Sequence, residues 1–177
     1  MFNSISKCGL LAFLLAATTA NAALPPSAGT YAIQNANSSL VLNLNGGTDP
    51  TQTIIEFQLT QPIAGSPNQL WTYIPSSGNT GTLQLVGPTT FLSCSPSTII
   101  LITFNKGTPC AASPSTPAPA WNVVETGRGF FIIDSVTGLT LTGSGISGQP
   151  VSLSVVNPSS TSGQVWVFID TSTVAGQ

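Results

Sequence analysis

The sequence predicts an all-β fold in which one four-stranded unit occurs three times. Three tryptophans, Trp71, Trp121 and Trp166, recur at intervals of 50 and 45 residues, and each begins a short apolar run. Between them lie short segments rich in β-branched and aromatic residues, separated by turn residues. The 14 prolines and 17 glycines disfavour long helices. Together, these observations predict a closed β structure with approximate threefold symmetry.

Twelve segments are predicted to be strands, four in each third of the chain. They are residues 30–36, 39–45, 53–59, 70–75, 82–87, 91–95, 98–104, 120–125, 129–135, 139–144, 150–156 and 165–170. The corresponding repeats span about 29–76, 79–126 and 127–170. Within most of the segments apolar residues alternate with polar ones, as expected of a strand with one buried face.

The first and last thirds of the chain match when one is shifted by 99 residues. Asn35 then falls on Asp134 and Leu42 falls on Leu141, so apolar positions coincide along the strands. Asn35 and Asp134 stand where the chain turns, and both side chains can bond the backbone just beyond them.

The middle third matches the first less closely. The best alignment of its apolar residues places Leu85 with Ile33 and Leu92 with Leu40. Residues 111–120, which precede Trp121, are rich in proline and serine and are predicted to form a stiff surface loop.

Three copies of a four-stranded unit predict a β-trefoil, in which six strands form a short barrel and three hairpins cap one end. Closure removes the free strand edges through which so apolar and uncharged a chain would aggregate. The fold class is therefore an all-β, twelve-stranded β-trefoil in residues 23–177.

Each repeat ends in a related tripeptide: Gln69-Leu70-Trp71, Pro119-Ala120-Trp121 and Gln164-Val165-Trp166. This pattern resembles the ricin-type lectin family, also called the R-type or Q-x-W β-trefoil, and the resemblance covers residues 29–169. It implies that the indoles face the shared core and that the glutamines bond neighbouring backbone. It also implies that the protein binds a glycan or glycoprotein.

The resemblance implies one carbohydrate site in the first repeat. The family places an Asp after the second strand, an aromatic ring on the third strand and an Asn before Q-x-W; the matching residues are Asn43, Phe57 and Asn68, with Gln69 in support. Because Asn43 replaces the Asp, the charge-assisted hydrogen bond is lost, and a galactose preference cannot be carried over. The alternative is that Phe57 is an ordinary strand aromatic and that the two asparagines only form turns.

The other two repeats lack this set of side chains. Their matching residues are Ser95, Phe104 and Ala118 in the middle repeat, and Thr142, Val155 and Gly163 in the third. We therefore expect one weak site, with a binding free energy of about −4 to −6 kcal/mol.

The first 22 residues are typical of a secretory signal peptide. Lys7 precedes the apolar run of residues 10–17, and Ala20-Asn21-Ala22 is a suitable cleavage site. The run is too short to span a bilayer. We therefore expect a secreted, extracellular protein whose mature part, residues 23–177, forms one domain.

Export bears on two further predictions. Cys94 and Cys110 are the cysteines of the mature part, and an even pair in an oxidising compartment predicts a disulfide. Asn37 begins the sequence Asn-Ser-Ser, which is an N-glycosylation acceptor.

The composition argues against several classes of function. The chain has no histidine, so histidine-dependent catalysis and imidazole metal sites are excluded. Its carboxylates are few and scattered, so an enzyme is not expected, nor is a cofactor or metal. Lys106 and Arg128 are the cations of the mature part, and two cations are too few to bind a nucleic-acid backbone.

Two alternatives to a lectin stay open at this stage. Lys106 lies in the loop between the two cysteines and could present a basic side chain to a trypsin-like protease, as β-trefoil inhibitors do. The high apolar fraction and scarce charge would also suit a structural or surface-active secreted protein. The sequence leaves the sugar, the oligomeric state and the biological target open.

Overall fold

The structure is a computed structural model that describes residues 26–47, 49, 52–60, 66–94, 109–114, 116–157 and 163–171. The predicted signal peptide, the predicted strand at 98–104 and Lys106 lie outside the described residues. Within the described ranges, no helix has the length and apolar character needed to cross a membrane.

The described residues form twelve strands, the predicted number, and eleven of them overlap predicted segments. They are β1 (Gly29–Asn35), β2 (Val41–Leu44), β3 (Ile54–Phe57), β4 (Leu70–Ser77), β5 (Thr80–Leu85), β6 (Phe91–Ser93), β7 (Ala111–Ser113), β8 (Trp121–Glu125), β9 (Phe130–Asp134), β10 (Thr140–Thr142), β11 (Ser152–Ser154) and β12 (Trp166–Asp170). A single 3-10 turn, Pro67–Gln69, precedes β4.

Six of these strands close into a barrel. The antiparallel pairs run β1–β4–β5–β8–β9–β12 and return to β1. The other six strands form the hairpins β2–β3, β6–β7 and β10–β11. Isolated bridges such as Thr53 to Ala111 and Pro109 to Ser152 join the hairpins to one another. This arrangement is the predicted β-trefoil.

The three tryptophans form the centre of the core. All three are completely buried, and each indole Nε1 donates to a backbone carbonyl. The bonds are Trp71 to Leu42 at 3.1 Å, Trp121 to Leu92 at 3.2 Å and Trp166 to Leu141 at 3.0 Å. The inward orientation of the indoles, predicted from the repeat, is confirmed.

These bonds make Leu42, Leu92 and Leu141 equivalent and confirm the 99-residue shift between the outer repeats. They also correct the middle repeat, because the sequence alignment placed Leu92 with Leu40. The true offset is 50 residues, the interval between the first two tryptophans. A shift of two residues keeps every side chain on the same face of a strand, so alternation of apolar residues could not reveal the error.

Part of the predicted surface loop at 111–120 is a strand. Residues Ala111–Ser113 form β7, which pairs with β6 through Leu92 and Ala112. The predicted disulfide between Cys94 and Cys110 is present and links the residue after β6 to the residue before β7. The sequence analysis missed this strand because the segment is rich in proline and serine. A strand this short suits a hairpin that is held by a disulfide.

Candidate functional site

The hairpin β2–β3 of the first repeat positions two of the predicted site residues. In its register Asn43 pairs with Ile55, and Phe57 pairs with Val41. Residues two apart on a strand share a face, so Asn43 and Phe57 lie on the same face of the hairpin. Leu42 lies on the opposite face, which belongs to the core.

Asn43 is buried, and its amide is bonded within the protein. Its Nδ2 donates to the carbonyl of Leu44 at 3.0 Å, and its Oδ1 accepts from Asn68 Nδ2 at 2.8 Å. Only 5% of Asn43 is exposed. The residue therefore joins the end of β2 to the turn before β4 and holds Asn68 in place.

Asn68 and Gln69 occupy the 3-10 turn that precedes β4. Among the described residues, Asn68 is half-buried and its Oδ1 has no hydrogen-bond partner. Gln69 is buried: its Oε1 accepts from the backbone N–H of Thr60 at 2.9 Å, and its Nε2 donates to the carbonyl of Gln58 at 2.8 Å. Gln69 thus ties the chain after β3 to the turn that carries Asn68.

Phe57 ends β3 and is the exposed aromatic residue of this hairpin, with 43% of its surface accessible. A half-exposed ring can stack on the C–H face of a sugar, while a neighbouring amide oxygen can accept from a hydroxyl. The first repeat therefore combines an exposed ring with a carbonyl oxygen that is free to bond a ligand.

The strand registers place serines at the two positions equivalent to Phe57. In the middle repeat Phe91 pairs with Ser113, and in the third Thr140 pairs with Ser154. The sequence alignment had assigned these positions to Phe104, which lies outside the described residues, and to Val155. The same register puts Ser93, rather than Ser95, at the position of Asn43. Phe57 is therefore the aromatic residue among the three equivalents.

In the third repeat the polar side chains bond one another. The hydroxyls of Thr142 and Ser154 are 2.7 Å apart, and Gln164 Nε2 lies 2.8 Å from Ser154 Oγ. Gly163 stands where the first repeat has Asn68, so no amide oxygen is presented there. Ala118 occupies that position in the middle repeat and is likewise without a polar group.

The predicted glycosylation residue lies outside this site. Asn37 is exposed in the turn between β1 and β2, and its Oδ1 accepts from Arg128 Nη2 at 3.3 Å. Its glycosylation stays a prediction. In the described ranges, no group of three acidic, cysteine or histidine side chains could hold a metal ion.

A comparison of the sequence with models of protein families finds the same resemblance as the Q-x-W pattern. Residues 21–98 match the model of a family described as ricin-type beta-trefoil lectin domain-like. A comparison with curated proteins found no match.

Solved structures of fungal lectins share the fold. The Rhizoctonia solani agglutinin is 24% identical with a TM-score of 0.66, over 83% of this chain and 98% of that one. The Macrolepiota procera ricin B-like lectin, solved in complex with lactose, is 23% identical with a TM-score of 0.63, over 82% and 97%. The Polyporus squamosus lectin, bound to a sialylated epitope, is 19% identical with a TM-score of 0.63, over 81% and 49%. The protein is a β-trefoil that resembles the ricin-type lectin family, as its Q-x-W repeats indicate.

Proposed function

We propose that the protein is a secreted, non-catalytic lectin with one weak carbohydrate site in the first repeat. The observation that carries this proposal is that Asn43 lies on the same face of the β2–β3 hairpin as the half-exposed ring of Phe57 and also binds Asn68, whose Oδ1 has no hydrogen-bond partner among the described residues. The matched family model also covers the first repeat. Secretion rests on the signal sequence of residues 1–22.

The chemistry of the site accounts for weak binding. Phe57 offers a face for the C–H groups of a sugar ring, and Asn68 Oδ1 accepts from a hydroxyl. Asn43 supplies no charge and is itself buried, so the site lacks the charge-assisted bond that an Asp would make. We expect affinities from about millimolar to tens of micromolar.

Related lectins support a glycan as the ligand. The titles of the Macrolepiota procera and Polyporus squamosus structures name lactose and a sialylated trisaccharide as ligands of those proteins. We propose a glycan or glycoprotein as the partner of this protein.

A glycan array tests the proposal. The protein, expressed from its full sequence in a secreting host, is applied at high concentration, and we expect signals that Phe57→Ala removes. Val155→Ala is a matched control, because Val155 is 60% exposed and follows the third-repeat equivalent of Phe57. The proposal would be overturned by an array without any signal, or if Phe57→Ala weakened none of the signals.

A further inference from the structure

A pocket separate from the first-repeat site lies at the junction of the first and third repeats. Its volume is about 340 Å³, and it is lined by Asn35, Asn37 and Ser38 of the β1–β2 turn, by residues 143–145 after β10 and by Gly163. This volume falls within the range of about 300–1,000 Å³ found for small-molecule pockets. None of the first-repeat site residues lines it.

Two of the residues that line the pocket are glycines at positions where the first repeat has larger side chains. Gly143 and Gly163 stand where the first repeat has Leu44 and Asn68. A methyl group on Gly143 would overlap the carboxylate of Glu56, and one on Gly163 would overlap the carbonyl of Gly143. Gly163 also has a φ of +77°, which side-chain-bearing residues rarely adopt. Glycine at these two positions therefore allows the close packing of Glu56 and of the Gly143 carbonyl beside the pocket.

A buried carboxylate adjoins the pocket. Glu56 is fully buried, and its Oε1 accepts from the hydroxyl of Ser38 at 3.3 Å. Its Oε2 accepts from the hydroxyl of Ser144 at 3.3 Å and from the N–H of Gly145 at 2.6 Å. Among the described residues, these partners of the carboxylate are all neutral. Each serine oxygen also accepts from a backbone N–H, Ser38 from Leu40 at 3.3 Å and Ser144 from Ile146 at 3.1 Å, so each keeps one further lone pair that can accept from a ligand.

One of the lining residues, Asn35, carries a buried donor that lacks a partner. Asn35 is 1% exposed, and its Oδ1 accepts from the backbone N–H groups of Asn37 at 3.0 Å and Ser38 at 3.4 Å. These two bonds fix the orientation of the amide. Its Nδ2 then has no hydrogen-bond partner among the described residues. An unpaired buried donor costs free energy, so this position favours a ligand that brings an acceptor oxygen.

We propose that this pocket binds a single neutral sugar unit. A sugar hydroxyl can accept from Asn35 Nδ2 and donate to the oxygen of Ser38 or Ser144, which no purely donating or accepting group can do. Glu56 would repel an acidic sugar. The site differs in kind from that at Phe57, because its lining contains no aromatic ring and recognition depends on hydrogen bonds.

Amide chemical shifts test the proposal directly. The ¹⁵N-labelled protein is expressed from its full sequence in a secreting bacterial host that adds no carbohydrate to Asn37, which lines the pocket. It is titrated separately with galactose, mannose, N-acetylglucosamine and glucuronate. We expect at least one neutral sugar, but not glucuronate, to give saturable shifts at the Asn35 side-chain amide and at Gly145 and Gly163.

Asn35→Asp is the decisive variant. Asp134 occupies the equivalent turn of the third repeat and bonds the N–H of Thr137 at 2.9 Å, so an Asp fits this backbone. The change replaces the donor with an acceptor oxygen and adds a negative charge, so the affinity should fall by at least about tenfold. Asp134→Asn is the matched control and should bind normally. If Asn35→Asp does not fold, Ser144→Ala carries the same expectation.

The outcomes separate this site from the proposed lectin site. Phe57→Ala should leave the shifts at Gly145 and Gly163 unchanged even where it removes array signals. The inference is overturned if no neutral sugar produces these shifts, or if glucuronate produces them equally. It is also overturned if Asn35→Asp, or Ser144→Ala in its place, binds the sugar as tightly as the original protein.

Discussion

The indole Nε1 of Trp71 lies 3.1 Å from the carbonyl oxygen of Leu42 and donates a hydrogen bond to it. Trp71 belongs to the barrel strand β4, whereas Leu42 belongs to the hairpin strand β2. The bond therefore ties the hairpin cap to the barrel. The same link recurs at Trp121 and Trp166, so the tryptophans both fill the core and hold its two parts together.

Trp71→Phe tests this double role. The smaller ring leaves a cavity and leaves the buried Leu42 carbonyl without its donor. We expect the free energy of unfolding to fall by about 2–4 kcal/mol, measured by urea denaturation. Phe57→Leu is the control, since Phe57 is 43% exposed, and its effect should stay within about 0.5 kcal/mol. Equal effects of the two changes would contradict the structural role of Trp71.

The fold and its core could be predicted because every repeat shares the features that define them. The fold requires a buried indole three times, so Trp71, Trp121 and Trp166 stand out at regular spacing. The disulfide could be predicted from the expected export and from the cysteine count. With two cysteines in the mature part, a single pairing is possible. By contrast, the register of the middle repeat was wrong by two residues, because alternation repeats with that same period.

The pocket between the first and third repeats could not be predicted because it breaks the repeat. Glu56 lies in a strand that reads as ordinary, and its partners Ser144 and Gly145 lie 88 and 89 residues away in sequence. Only the folded chain brings them together. Asn43 illustrates the same limit: its position after the second strand was visible, but its burial and its bond to Asn68 were not.

A double-mutant cycle tests the contact between Gly143 and Glu56. A methyl group on Gly143 would overlap the Glu56 carboxylate, so Gly143→Ala should lower the free energy of unfolding by about 1–3 kcal/mol. Removing the carboxylate in Glu56→Ala makes room for the methyl group. The double variant should therefore lose less free energy of unfolding than the two single variants lose together. The difference, measured by calorimetry or urea denaturation, should be at least about 0.5 kcal/mol. Strict additivity would show that the two residues do not compete for this space.

Asn43→Ala and Phe57→Ala should distinguish a residue that supports the first-repeat site from one that contacts the sugar. Asn43 is buried and makes two hydrogen bonds, so its loss should cost about 1–3 kcal/mol of stability. It should also weaken sugar binding, because Asn68 is released. Phe57→Ala should weaken binding while changing stability by less than about 1 kcal/mol. Thermal unfolding and sugar titration, applied to both variants, decide the matter. A stable Asn43→Ala variant with normal binding would remove Asn43 from the site.

Tyr73→Phe should stabilise the protein. Tyr73 is completely buried, packs edge-on against Phe168, and its hydroxyl has no hydrogen-bond partner among the described residues. Because an unpaired buried hydroxyl is costly, its removal should raise the free energy of unfolding by about 1 kcal/mol. Tyr31→Phe is the matched control: the Tyr31 hydroxyl donates to the carbonyl of Ser27 at 3.0 Å, so that change should destabilise.

The stability gap between Tyr73→Phe and the original protein should also widen with pH. Burial raises the pKa of Tyr73 above its ordinary value of 10.0, so the unfolded chain ionises this group first. The unfolded state then binds fewer protons than the folded state, and stability falls as the pH rises above the unfolded pKa. Below that pKa the group adds no pH dependence. Urea denaturation of both proteins on either side of pH 10 measures the gap, and a gap that narrows at high pH would contradict the assignment of Tyr73 as a buried, unpaired phenol.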